Sequence, residues 1–219
     1  MKNKLLCWLL DLLYPPRCML CHRLIEAKDA PVCPKCMDAL PEHDGAERCV
    51  PGAAHCVVTF FYEGTLRDGF LRYKFEGRQW YAGQFGKWLA VTIRDKLTGT
   101  YDLITWVPVS SRRRRTRGYD QAELLCREAA HALGAEPVRT LEKRTDNRAQ
   151  SSLTGAEQRF ENAKGVYCAV QPERFSGKRV LLIDDIVTTG ATMSECARVL
   201  RKAGAAEIVC AALATPRET

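Results

Sequence analysis

Two rhythms alternate along the chain. Short apolar runs stand at Val57–Tyr62 (VVTFFY), Leu103–Val107 (LITWV), Gly165–Val170 (GVYCAV), Arg179–Ile183 (RVLLI) and Glu207–Leu213 (EIVCAAL). Their length and apolar content predict strands, and Pro108 halts the second of them. Between them lie segments with helical spacing, at Leu66–Phe75 and Tyr81–Thr98. A third helix is predicted from Asp120, placed as a cap with Glu123 three positions on, to a stop at Gly134. Its buried stripe is Ala122, Leu125, Cys126, Ala129 and Leu133. Thr154 and Glu157 repeat the capping pattern ahead of a short helix, and Met193, Cys196, Ala197 and Leu200 mark another that ends before Gly204. Strands alternating with helices predict an α/β fold with a parallel sheet covered on both faces.

The pattern begins only at Val57. From Cys18 to Cys56 the chain is rich in Cys, Pro, Gly and charge, with no sustained apolar period. This divides it into an N-terminal helix and cysteine module (1–56) and an α/β domain (57–219). The opening MKNKLLCWLLDLLYPP has Leu5, Leu6, Leu9, Leu12 and Leu13 at helical spacing, but Asp11 interrupts it and no small-x-small cleavage site follows. It is too short to span a bilayer, and reads as an amphipathic helix docked on the body, with a membrane-surface helix as the alternative. The expectation is a cytoplasmic protein without stable membrane insertion. A formal charge of +7 favours anionic partners and decides nothing about fold.

The chemistry concentrates in RVLLIDDIVTTGATMSECARVLRKAGA (Arg179–Ala205). A strand buried on both faces puts Asp184 and Asp185 at its carboxyl end, where open parallel sheets bind ligands. Thr188, Thr189, Gly190, Ala191 and Thr192 then form the turn entering a helix. Its unpaired N–H groups and positive dipole end favour an anion by up to ~2 kcal/mol. Two acids ahead of an anion cradle suit a ribose 5-phosphate: carboxylates accept from the sugar hydroxyls, and amides take the phosphate. An acid-tipped strand also marks the second motif of P-loop ATPases, but the chain lacks G-x-x-x-x-G-K-[ST]. A receiver domain needs far more chain after its acidic pair, and a plain capped turn needs fewer threonines. The stretch closely resembles the phosphoribosyl pyrophosphate (PRPP) motif of type I phosphoribosyltransferases. The resemblance implies that Asp184 and Asp185 hold the ribose hydroxyls and Thr188–Thr192 the 5′-phosphate.

A second stretch, WVPVSSRRRRTRGYDQAELL (Trp106–Leu125), begins at another predicted strand end. In the same family the loop at this place contacts pyrophosphate, which implies that role for Pro108, Val109, Ser110, Ser111 and Arg112, with Mg²⁺ carried on the ligand. Guanidinium forks bind phosphates bidentately. Five arginines exceed what one pyrophosphate needs, so a solvated basic loop and a single-stranded nucleic-acid contact both stay open. Five engaged phosphates would give log K against log salt a slope of about −3 to −4. Trp106 and Tyr119 are the aromatics nearby for base stacking.

Of eleven cysteines, seven lie within the first 56 residues. Cys18 and Cys21 (CMLC) and Cys33 and Cys36 (CPKC) form two C-x-x-C knuckles with eleven residues between them. Four thiolates so spaced suit a closed, structural tetrahedral Zn²⁺ site, contributing on the order of 10 kcal/mol to the fold of so small a module. A redox C-x-x-C would need a thioredoxin-like context that is absent here. Cys49 and Cys56, with His22, His43 and His55, leave a second metal site or ordinary thiols open. Cys126, Cys168, Cys196 and Cys210 read as small core residues.

Taken together, YPPRCMLC, CPKC, YEGTLRDGFLRYKFEG (Tyr62–Gly77), VPVSSRRRRTRGYDQA, RTDNRAQSSLTGAEQRFENAKG and the PRPP motif resemble the ComF family over essentially the whole chain. Those competence-associated proteins join an N-terminal zinc ribbon to a type I phosphoribosyltransferase domain. Gln150, Leu153, Arg159 and Asn162 fall where the family pattern has them, in a segment corresponding to the loop that covers the site in type I enzymes. Where many members carry a second pair of knuckles, this chain has only Cys49 and Cys56. Where the family usually reads Arg-Gly-Phe-Asn-Gln, it has RGYDQ, so Asp120 adds a negative charge beside the anion loop. The resemblance implies transfer of a phosphoribosyl group from Mg-PRPP to an unknown nitrogen acceptor. The alternative it leaves is a non-catalytic adaptor for single-stranded DNA and the competence-machinery proteins, with PRPP as regulatory ligand. Glutamine-dependent amidophosphoribosyltransferases share the motif but need a glutaminase domain that does not fit before Val57.

Overall fold

The computed structural model of the chain describes residues 15–26, 30–147 and 155–217. The N-terminal leucine stripe, Gln150, Leu153 and Thr154 lie outside the described residues. A short helix α1 (Pro34–Asp38) precedes strand β1 (His55–Phe61), helices α2 (Gly64–Phe75) and α3 (Tyr81–Leu97), and strand β2 (Leu103–Trp106). Next come α4 (Ser111–Arg117), α5 (Gln121–Ala132), β3 (Leu141–Lys143), α6 (Ala156–Ala163) and β4 (Tyr167–Ala169). The chain closes with β5 (Arg179–Ile186), α7 (Ala191–Lys202) and β6 (Glu207–Thr215).

Strands β1, β6, β5 and β2 lie side by side in that order, all parallel. The period of two sorts their side chains. Phe60, Ile104, Leu181, Ile183, Val209 and Leu213 face a core shared with α2, α3 and α5. Val58, Val180, Leu182, Ile208 and Cys210 face the other way, onto Met193, Cys196, Ala197 and Leu200 of α7. Each fully buried aliphatic side chain contributes about 1.5–3 kcal/mol, so covering both faces is what makes an all-apolar strand such as β5 stable.

Four expectations are corrected. The arginine-rich stretch is a helix, not a loop: Ser110 caps it by accepting from Arg113 N, and Gly118, at φ 81°, closes it. Arginine is a good helix former, and caps at both ends suffice for seven residues. GVYCAV does not join the main sheet. Its β4 pairs antiparallel with β3, Lys143 opposite Tyr167, in a separate ribbon packed on α7. On that ribbon Cys168 points away from the core and is half-exposed, unlike the buried Cys126, Cys196 and Cys210. The N-cap of α6 is Gly155, one residue later than the pattern predicts, and it supplies no side-chain cap. By contrast, Asp120 caps α5 by accepting from Glu123 N as expected, and the stripe is buried as far as Ala129, with Leu133 half-buried.

The cysteine lobe docks on α2. Met19 and Leu20 are fully buried there, and a Cβ on Gly69 would stand 2.7 Å from Leu20 Cδ2 and 3.0 Å from the Met19 carbonyl. Arg72 Nη2 donates to the carbonyls of Met19 and Leu20. Among the described residues no helix is long and apolar enough to cross a membrane.

Candidate functional site

Pro108 has no N–H to donate, so the pairing of β2 with β5 ends at Trp106 and Ile183. One last bond runs from Val107 N to the Ile183 carbonyl, 2.9 Å. Beyond it the two chains part, and a crevice of about 400 Å³ opens at the carboxyl ends of the strands. That size suits a small phosphorylated ligand. Asp184 and Asp185 at the end of β5 and Thr188–Thr192 in the turn entering α7 form one wall. Pro108 and Val109, with Arg113 and Arg117 of α4, contribute another part, and Lys74 and Lys143 complete the basic side.

The turn is built for close approach. Gly190 has φ +74°, which favours glycine, and a Cβ there would press on Val50 Cγ2 at 3.3 Å and touch the Cys49 carbonyl at 3.4 Å. As N-cap it offers no side-chain acceptor to the first amides of α7. An anion in the crevice can supply that acceptor. Asp184 Oδ1 accepts from Asp185 N at 2.7 Å. Burial pushes the Asp184 carboxyl well up, and the neighbouring Asp185 adds to it, although part of its surface opens on the crevice. Asp185 Oδ2 pairs with Lys74 Nζ at 2.8 Å.

Of the stretch predicted to meet pyrophosphate, Pro108 and Val109 reach the crevice; Ser110, Ser111 and Arg112 do not line it. Ser110 Oγ is occupied in donating to Asp146 Oδ1 (2.6 Å) while capping Arg113 N, and Ser111 and Arg112 lie on the exposed side of α4. Helical geometry carries Arg113 and Arg117, four apart, to the crevice instead. Arg113 is braced by the Asn147 carbonyl at 2.8 Å. Asp120 is buried, its Oδ2 accepting from Val109 N (2.9 Å) and its Oδ1 from Glu123 N (3.1 Å). It fixes the Pro108–Val109 turn, and burial raises its own carboxyl. Arg159 of α6 also lines the crevice, while the Asn162 carbonyl accepts from Asn147 Nδ2.

Sequence reasoning missed three groups. Lys74 meets Asp185 only because α2 crosses the end of β5, which no local pattern announces. Lys143 occupies an inward position of β3, with Leu141 inward and Glu142 outward; a lysine at an inward strand position was the available signal. It lies 5.2 Å from the Tyr167 ring, and burial pushes it down to about 8, with Arg113 adding to the shift. Gln121 is buried beside the crevice, its Oε1 taken by Arg117 (2.9 Å) and its Nε2 without a partner. That buried donor is one a polar ligand could satisfy.

Cys18, Cys21, Cys33 and Cys36 converge, their four sulfurs within 4.8 Å of one another. Cys21 and Cys33 Sγ are 3.8 Å apart, and tetrahedral Zn–S bonds of about 2.3 Å place thiolates about 3.8 Å apart. The donor set fits a closed structural zinc. The second candidate set disperses: Cys49 is exposed, and Cys56 is a free thiol buried in β1, beside the free thiol of Cys210 on β6. His55 Nδ1 faces Glu47 at 2.9 Å, and His43 packs on Phe61. Among the described residues only the four knuckle cysteines form a cluster of three or more side chains able to hold a metal.

Residues 124–219 match the phosphoribosyl transferase domain family, and residues 9–56 the double zinc ribbon domain family. The chain is 30% identical to competence protein F of Haemophilus influenzae over 202 residues, 87% of this chain and 86% of that protein. It is 29% identical to the DNA utilization protein YhgH of Escherichia coli K12 over 215 residues, 93% of each chain. Competence protein ComFC of Streptococcus pneumoniae shares 34% over 162 residues, 72% of this chain and 66% of that one. Glutamine PRPP amidotransferase from B. subtilis aligns with 65% of this chain and 30% of its own at 22% identity and a TM-score of 0.43. The fold assignment rests on the sheet and the domain match, not on that alignment. The double-ribbon match and the side chains disagree over a second zinc, for which Cys49 and Cys56 are not brought together. On matches spanning most of its length, and a phosphoribosyltransferase fold behind a four-cysteine lobe, the chain belongs to the ComF family.

Proposed function

We propose that the crevice binds PRPP with Mg²⁺ and transfers its phosphoribosyl group to a nitrogen acceptor, releasing pyrophosphate. The observation that carries this reading is one crevice holding two carboxylates, an anion-accepting turn and a set of cations. Asp184 and Asp185 take the ribose hydroxyls, and Thr188–Thr192 the 5′-phosphate. Val109, Arg113 and Lys143 face the pyrophosphate. The acceptor nitrogen bonds to C1 as the C1–O bond to pyrophosphate breaks; the electron pair leaves with pyrophosphate, and the nitrogen's proton passes to solvent water. Positive charge grows on the sugar beside fixed carboxylates, negative charge on the leaving group beside fixed cations, a field preorganised for the transition state. Asp184 and Asp185 are hard oxygen donors suited to Mg²⁺ arriving on the phosphates, where the ion would neutralise part of the leaving charge. Lys74 exchanges Asp185 for the ligand as the sugar enters, which moves a cation toward the phosphates without leaving it unpaired. The names of the relatives support a place in competence and DNA utilization.

Calorimetric titration with Mg-PRPP tests the site. The wild-type protein binds, and Asp185→Asn, which keeps shape and removes charge, weakens binding roughly ten- to a hundredfold, the range for a hydrogen bond to a charged group. Equal affinity in the variant would remove the site assignment. A flat titration in the wild type would favour the adaptor reading, in which the exposed Arg112, Arg114 and Arg115 of α4 contact single-stranded DNA.

A further inference from the structure

The N-terminal lobe continues past the cysteine cluster to the back of the anion turn. Arg48 N is anchored to the Cys56 carbonyl of β1 at 3.0 Å. Val50 is buried in the core formed by Met193, Cys196 and Ala197 of α7, and Ser194 Oγ donates to the Pro51 carbonyl at 2.8 Å. Gly190 fits closely against Val50 and the Cys49 carbonyl, where a Cβ would stand 3.3 and 3.4 Å from them. Arg48 Nη2 donates to the Thr188 carbonyl at 3.1 Å. Arg48 does not line the crevice, whereas Thr188 and Thr189 do.

That last contact fixes a direction. The described residues contain no cis peptide bond, and in a trans peptide the carbonyl and the following N–H point opposite ways. With the Thr188 carbonyl drawn outward to the guanidinium, the Thr189 N–H is turned toward the crevice. The reversed peptide would present a carbonyl dipole to an incoming phosphate.

We propose that Arg48 is a positioning residue for the anion cradle, acting from behind the turn to hold the Thr188–Thr189 peptide with its N–H toward a sugar-phosphate monoester. This rests on the PRPP reading of the crevice and adds to it a part for the N-terminal segment. The residues that a second ribbon would spend on metal serve here as a brace: Cys56 joins the sheet, and residues 48–51 pack behind the phosphate turn.

Two probes separate this role from general damage, because ribose 5-phosphate uses the turn and inorganic pyrophosphate uses the other wall. In calorimetry on the full chain, Arg48→Ala is expected to weaken ribose 5-phosphate about tenfold, as loss of a charge-assisted hydrogen bond implies, and to change pyrophosphate by less than about twofold. Arg48→Lys, which keeps a charged donor, falls between. Hydrogen exchange at Thr188–Gly190 rises in the alanine variant, reporting the freed peptide directly. Unchanged ribose 5-phosphate affinity in Arg48→Ala, an equal loss of both ligands, or a lysine variant no better than alanine overturns the inference while leaving the site intact. If Arg48→Ala fails to fold, Arg48→Gln is judged by the same criteria. Wild-type protein that binds neither probe removes the parent reading and this one with it.

Discussion

Lys143 shows how one side chain gives the crevice a pH response. It is 7% exposed, and burial moves its ammonium down from 10.5 to about 8. Below that pH it is charged in the free protein and, on the proposed reading of the crevice, would attract pyrophosphate without proton uptake. Above it, binding must recruit a proton, so affinity falls toward tenfold per pH unit. Calorimetry with pyrophosphate across pH 7 to 10 should therefore show a flat region and then a decline starting at about 8, absent in Lys143→Met. The sign for stability is opposite. The folded pKa lies below the unfolded one, so the cost of burying the charge is felt in full below about 8 and is relieved as pH rises toward 10.5. Affinity falling while stability gains is the signature of this lysine, and alkaline unfolding would move both downward. Asp184 and Asp185 were legible in the sequence because adjacency and a strand end are local facts. Lys74 and Lys143 were not, because each reaches the crevice from an element that no local pattern links to β5.

At the scale of elements, the strands and long helices could be read because their buried faces impose a period. Helix α4 buries no residue at all, so it leaves no stripe, and five arginines suggest a loop. Its caps, Ser110 and Gly118, were nevertheless present. The ribbon β3–β4 escaped because three-residue strands are too short to declare a partner. The packing of α3 on α5 gives a prediction that period alone could not. A Cβ on Gly86 would collide with Glu128 Cβ and lie 2.8 Å from Ala129 N, part of a backbone that cannot swing aside. On Gly83, three residues earlier on the same helix, it would meet only Glu128 Oε2 at 3.9 Å. Gly86→Ala should destabilise by about 1–3 kcal/mol through overpacking, whereas Gly83→Ala should be neutral or stabilise by up to about 1 kcal/mol through helix propensity. Chemical denaturation of the two variants decides it, and the same sign for both would refute the close crossing.

For the whole molecule, the cysteine lobe and the α/β body share one core. Met19 and Leu20 sit directly after Cys18 and are fully buried against α2, whose far end carries Lys74 to Asp185. Zinc removal therefore has consequences beyond the lobe. With the thiolates unheld, Met19 and Leu20 can leave α2, forfeiting about 1.5–3 kcal/mol each. At roughly 2–4 °C per kcal/mol for a chain of this size, the melting temperature should fall by on the order of 10 °C. Arg72, whose Nε is already buried without a partner, would lose the Met19 and Leu20 carbonyls as well. Hydrogen exchange should accordingly rise along α2 as far as Lys74, while β5, packed between α5 and α7, and β6, packed between α3 and α7, stay protected. Metal analysis of the purified protein should return about one zinc per chain, since the Cys56 thiol is buried in the core while Cys49 is exposed, and neither joins the four knuckle sulfurs. Melting that is indifferent to a chelator after the zinc has been shown to leave would mean that the lobe is held by its apolar contacts alone. Protection lost only within the lobe would mean that α2 does not carry the metal's influence to the crevice.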